Sequence, residues 1–271
     1  MKIGILVVHG MGSQNPRFAD GFIKEMNGRL SKLGVAAGSV VWEAAYWADI
    51  LEPRERALLK ALTKGNDLDW IKLRRFIINA LADAVAYRPL DGAAVGVYES
   101  IHERIRDHLG TLRANAGGAD VPLVVIAHSL GSVMLSNYVW DEQTNAPAKR
   151  LGRNPFERAQ TLSGMVTFGS NIPLFTLAYD KVDAIAFPAK GLPSAVAAAA
   201  RWFNFYDPDD VLGYPLKPLS DSYRNAVDKD IAVNVGGLLT SWNPISHDEY
   251  WEDDDFTKPV AKLVASLALL P

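Results

Sequence analysis

The chain has 271 residues, 49% of them hydrophobic and 22% charged, with a formal net charge of −3. That balance buries a core and excludes a disordered chain, and the acidic sum leaves no electrostatic footprint for nucleic acid. With no cysteine in the sequence, disulfides, thiolate catalysis and Cys-ligated zinc are excluded.

The first apolar run covers 3–8 and ends in His9-Gly10. It is too short for a secretory h-region, and a short apolar run bounded by glycine predicts a strand buried on both faces. Helical spacing follows over 17–33, with Phe18, Phe22, Ile23, Met26 and Leu30 on one face. Further strands are predicted over 39–45, 121–127, 162–168, 201–206 and 231–235, a helix over 130–140, and a closing amphipathic helix over 257–270. No stretch reaches the ~20 apolar residues that span a bilayer. The expectation is a cytoplasmic protein with no integral membrane segment and no nucleic-acid partner.

Alternating strands and helices predict one α/β domain over 1–271, built on a doubly wound, mostly parallel sheet flanked by helices. The stretch 48–112 breaks the rhythm with helical patterns at 53–63, 68–87 and 92–112. One of these is the crossover, and the rest read as a helical insertion or cap. A second irregular stretch, 175–200, either covers a cleft or packs at the sheet edge.

The strongest chemical signal is Ala127-His128-Ser129-Leu130-Gly131, where a buried strand meets an apolar helix. A serine on such a turn is held strained, with its hydroxyl above the sheet, and small residues two places either side let strand and helix approach closely. Glycine is usual at both places, and here the first is Ala127. Serine before a helix also serves as a plain N-cap. The second signal, His9-Gly10-Met11-Gly12, offers a backbone N–H for an oxyanion, with Met11 the donor by position and Leu130 the second donor. As a glycine-rich turn it lacks the spacing of a nucleotide loop.

Of five histidines, His9 and His128 belong to these motifs, and His102 and His108 read as surface residues on a charged helix. His247, in the polar loop Asn243-Pro244-Ile245-Ser246-His247-Asp248, follows the serine in chain order and is the candidate base. The acid belongs between them. The segment Phe203 to Val211 delivers Asp207, Asp209 and Asp210 after a strand; Asp210 is the first choice and Asp207 the second. The acidic run Glu252 to Asp255 reads as capping rather than as a metal site.

Taken together, HGMG after the first strand, AHSLGS, FYDPDDVLGYPL and SHDEYW resemble the α/β-hydrolase superfamily, and within it lipase-like and esterase-like serine hydrolases. Thr167-Phe168-Gly169-Ser170 is similar to the family's strand after the nucleophile helix. The resemblance implies a Ser129, Asp210, His247 triad, an oxyanion hole from the backbone of Met11 and Leu130, and no cofactor; the residues themselves offer no metal-binding spacing, and a small-molecule ester is the expected substrate. A thioesterase, amidase or acyltransferase on the same fold, and an inactive binding protein that keeps the fold, are the rival expectations.

Overall fold

Six strands form one sheet: β1 (Ile3–Val8), β2 (Val40–Ala45), β3 (Leu123–His128), β4 (Leu162–Phe168), β5 (Arg201–Tyr206) and β6 (Lys229–Ala232). The computed structural model describes residues 1–11, 14–64, 83–88, 96–145, 151–235 and 250–271. The strand order is β2-β1-β3-β4-β5-β6, and every neighbouring pair is parallel. The helices are α1 (Asp20–Lys32), α2 (Glu52–Thr63), α3 (Val97–Asn115), α4 (Leu130–Thr144), α5 (Ile172–Thr176), α6 (Ser194–Ala199), α7 (Asp221–Ala226) and α8 (Asp254–Ala268).

The continuous apolar strands are explained by burial on both faces. Ile3, Ile5 and Val7 join Val124 and Ile126 in the core under α1 and α8, where Phe22, Met26 and Leu30 meet Val260 and Val264. Leu6 and Val8 point the other way, with Leu123, Val125 and Ala127, into the core under α3 and α4. The period of two persists although both sets are apolar. Each buried aliphatic side chain contributes about 1.5–3 kcal/mol, so a one-residue slip finds no polar face to penalise it. Gly4 helps to fix the register. A Cβ there would lie 3.1 Å from the Phe156 ring and 3.3 Å from Leu112.

The topology positions the crevice. The chain leaves β1 through α1 for β2 on one side, then returns across β1 through α3 to β3 on the other. In open parallel sheets ligands bind beyond the strand C-termini at such a reversal. Here that point lies between His9, after β1, and Ser129, after β3.

The strands over 3–8, 162–168 and 201–206 coincide with the expected ones, and α3 supplies the crossover. The last strand differs, running Lys229–Ala232 rather than 231–235. It is a half-exposed edge strand; beyond it Val233 N–H still donates to the Tyr206 carbonyl at 3.0 Å, and Val235 N–H turns to the Asp207 carboxylate at 2.7 Å. The final helix begins at Asp254, ahead of its first apolar position, because Asp253 caps it by accepting the Asp255 N–H at 2.7 Å. Within the expected insertion, α2 and a helical turn at 83–86 are described, while most of the helix read at 68–87 lies outside the described residues.

His102 and His108 are not surface residues. His102 is buried between α3 and α4, 2.8 Å from the Tyr87 hydroxyl and 3.3 Å from Asp141, and Asp141 also accepts from Tyr98 at 3.1 Å. His108 is half-buried, with its ring nitrogen 2.8 Å from Glu43 on β2. His102 faces α4 and His108 faces β2, and of the charged residues between them Arg106 is buried as well. Among the described residues no helix is long and apolar enough to cross a membrane.

Candidate active site

Ser129 stands between β3 and α4 with φ 51° and ψ −126°, a left-handed conformation that an L-residue holds only under constraint. The constraint comes from three sides. Its N–H donates to the Phe168 carbonyl at the end of β4 (3.0 Å), and its carbonyl accepts from the Ser132 N–H (2.9 Å) and the Ser132 hydroxyl (2.6 Å). The Ser132 and Ser170 hydroxyls lie 2.7 Å apart, tying α4 to the turn after β4. The Ser129 side chain makes no capping hydrogen bond to α4, so the N-cap reading does not account for it. The residue is fully buried.

Small residues surround the turn for steric reasons that differ by position. At Gly131 a Cβ would lie 2.4 Å from the His9 carbonyl oxygen and 3.1 Å from that of Val8. At Gly10 it would lie 2.6 Å from the Ser129 Cβ. The loop after β1 is thus pressed directly against the serine. Ala127, in register with Val8 and Thr167, packs its methyl into the core instead, which explains why alanine is accommodated there.

His9 locks that loop. Its Nε2 accepts the Trp47 N–H at 3.1 Å, which leaves Nδ1 to donate to the Gly10 carbonyl at 2.8 Å. Its ring stacks on Trp47 at 4.8 Å, and the Trp47 indole N–H donates to the His9 carbonyl at 3.0 Å. Burial, only partly offset by the Gly10 bond, lowers its pKa to about 4. His9 is therefore a neutral strut, and half-buried Met11 follows it against the core. Leu130 opens α4, so its N–H lies ahead of the helix's own hydrogen-bond ladder.

The acidic loop after β5 separates its carboxylates by role. Asp207 accepts the Asp209 N–H at 2.8 Å on one oxygen and the Val235 N–H at 2.7 Å on the other. Both its oxygens therefore hold backbone. Asp210, also buried, accepts the Leu212 N–H at 2.9 Å and the Tyr250 hydroxyl at 2.9 Å. It lies beside the turn after β4: a Cβ on Gly213 would come within 2.5 Å of Asp210 Oδ2 and 3.1 Å of Gly169. Ser129 and Asp210 thus flank the C-terminal end of β4. His247 lies outside the described residues, as does Gly12.

No model of a known protein family matches the chain, and no curated protein matches it.

Tyr250 is the residue that sequence reasoning undervalued. Its hydroxyl accepts the Asp207 N–H at 2.8 Å and donates to Asp210. Burial, and next the Asp210 charge, push its pKa well above the ordinary tyrosine value, so it remains a donor. The signal available was a tyrosine three residues beyond His247. His128 packs on Phe168 at 4.8 Å and edge-on to Trp251 at 5.7 Å, an aromatic floor beside the serine. In the acidic run, Asp253 caps α8 and Asp254 pairs with Arg29 and Lys258. Among the described residues no group of acids and histidines is arranged to hold a metal ion.

Proposed function

We propose that this chain is a serine hydrolase of the α/β-hydrolase type that cleaves carboxylic esters through an acyl-enzyme. The observation that carries the reading is the strained backbone of Ser129, at φ 51° on a strand-to-helix turn, with the His9-Gly10 loop pressed against it. Strain of this kind persists only where the surroundings over-determine it, and it clusters at functional sites. Its position at the sheet's reversal point is the second support.

In this reading His247 takes the Ser129 hydroxyl proton as Oγ attacks the substrate carbonyl carbon. The tetrahedral oxyanion is held by the backbone N–H groups of Met11 and Leu130. Collapse expels the alcohol, which leaves with the proton from His247. Water then attacks the acyl-serine with His247 again as base, and the acid departs. Asp210 orients the imidazole and stabilises its protonated form. The choice of Asp210 over Asp207 rests on the hydrogen bonds of Asp207, both of whose oxygens are committed to backbone. Tyr250 positions Asp210 by donating to its carboxylate.

Ser129 has no exposed surface, so a substrate reaches it only after neighbouring groups move. One observation, that burial, favours a second reading: a fold kept for binding with its serine closed off. Hydrolysis of p-nitrophenyl esters from acetate to decanoate separates the two. Turnover by the wild type and its loss in Ser129→Ala supports the hydrolase. A folded wild type inert toward the whole series supports the binding protein.

A further inference from the structure

α1 and α8 pack side by side and leave between them an open groove of about 510 Å³. None of the candidate active-site residues lines it. Its walls carry Lys24, Arg29 and Lys32 from α1 and Lys258 and Lys262 from α8, against one carboxylate, Glu25. Arg29 pairs with Glu25 at 2.6 Å and with Asp254, and Lys258 pairs with Asp254 at 2.6 Å. Lys24, Lys32 and Lys262 pair with no carboxylate among the described residues. Five cations against two carboxylates leave three positive charges on one groove of a chain whose net charge is −3.

The floor adds a second observation. Gly21 and Gly28 line the groove from inside α1, and a Cβ on either would meet nothing within 4 Å. Packing does not demand glycine at these places, and glycine weakens a helix relative to alanine. What the two glycines do is leave the floor bare.

We propose that this groove binds a compact oligophosphate, a soluble small molecule with clustered phosphate groups. The volume suits a small ligand, for which sites run to roughly 300–1,000 Å³. Phosphate groups concentrate charge and offer several acceptor oxygens, which the flexible ammonium groups of Lys24, Lys32 and Lys262 satisfy together. An extended polyanion needs positive charge continuing past the groove, and the chain's net negative charge opposes that.

The test is isothermal titration of the full chain with sodium tripolyphosphate, at low and at physiological salt. Three variants accompany it: Lys32→Gln/Lys262→Gln, which removes charge; Gly28→Leu, which keeps every charge and fills the floor; and Lys190→Gln, which lies outside the groove. The expected result is one-site binding that weakens as salt rises. Affinity should fall about tenfold or more in both groove variants and stay unchanged in Lys190→Gln. The proposal is overturned by an absence of binding to the wild type, or by equal losses in all three variants, which mark diffuse charge. Gly28→Leu binding like the wild type overturns it as well, as does inorganic sulfate binding as tightly as tripolyphosphate. So does association with anionic phospholipid vesicles without tripolyphosphate binding. None of these outcomes depends on the hydrolase reading, because Ser129 chemistry is measured separately.

Discussion

Replacing Gly131 by alanine tests the close approach on which the site is built. The added methyl would lie 2.4 Å from the His9 carbonyl oxygen and 3.1 Å from the Val8 carbonyl and methyl groups. The nearest neighbour is backbone, so relief requires β1 and α4 to separate. Overpacking costs about 1–3 kcal/mol, a 2.4 Å contact with backbone falls in the upper half of that range, about 2–3 kcal/mol, and alanine's better helix propensity returns at most about 1 kcal/mol. The net loss is about 1–2 kcal/mol, which lowers the melting temperature by roughly 2–8 °C. Because the push falls on the carbonyl of His9, the loop that carries Met11 moves with it. In the proposed hydrolase Met11 is an oxyanion donor, and its displacement lowers kcat by about tenfold or more and leaves KM less changed. Thermal unfolding followed by circular dichroism measures the first effect. Gly21→Ala is the counterpart: its methyl meets nothing within 4 Å, so it should stabilise by up to about 1 kcal/mol. A Gly131→Ala protein that melts at or above the wild type refutes the steric argument.

Three further predictions concern His9, the two aspartates after β5 and the buried His102. The His9 imidazole titrates at about 4 when folded and near 6.5 when free. Its contribution is therefore complete above pH ~6.5 and is lost as the pH falls toward 4, by about 3 kcal/mol; urea unfolding across that window should show a shallower pH slope for His9→Gln, and an unchanged slope counts against the buried neutral ring. Asp210→Asn should cost about 10³–10⁴ in kcat with the fold retained, whereas Asp207→Ala, which strands the Val235 and Asp209 N–H groups, should cost about 2–4 kcal/mol of stability; reversed roles would exchange the triad acid. His102→Leu breaks the contacts to Tyr87 and Asp141 and should destabilise by about 2–3 kcal/mol in urea, while leaving ester turnover per folded molecule unchanged.

Much of the sheet is legible because β1, β3 and β4 are buried throughout and dominated by apolar residues, and because β1, β4 and β5 end at His9-Gly10, Gly169 and Asp207-Pro208. The runs at 3–8, 162–168 and 201–206 need no tertiary information. β6 was misplaced because the apolar residues Val233 and Val235 are buried beyond the strand, one pairing with Tyr206 and the other with the Asp207 carboxylate. The burial of His102 was hidden by its charged neighbours, since the residues that enclose it, Tyr87, Asp141 and Tyr138, come from other segments. At the site, the serine turn and the role of Gly131 follow from local sequence. The division of labour between Asp207 and Asp210 does not, because three aspartates in one loop differ only in which backbone groups return to meet them. Tyr250 likewise acts through a contact forty residues away in the chain.

The proposed function requires Ser129 to be an activated nucleophile. Labelling of the purified protein with a fluorophosphonate probe, followed by mass spectrometry of the modified peptide, tests it most directly. The expected result is one phosphonylated residue, Ser129, with labelling abolished in Ser129→Ala and strongly slowed in His247→Ala. A well-folded wild type that takes up no probe, or one that is labelled elsewhere, contradicts it.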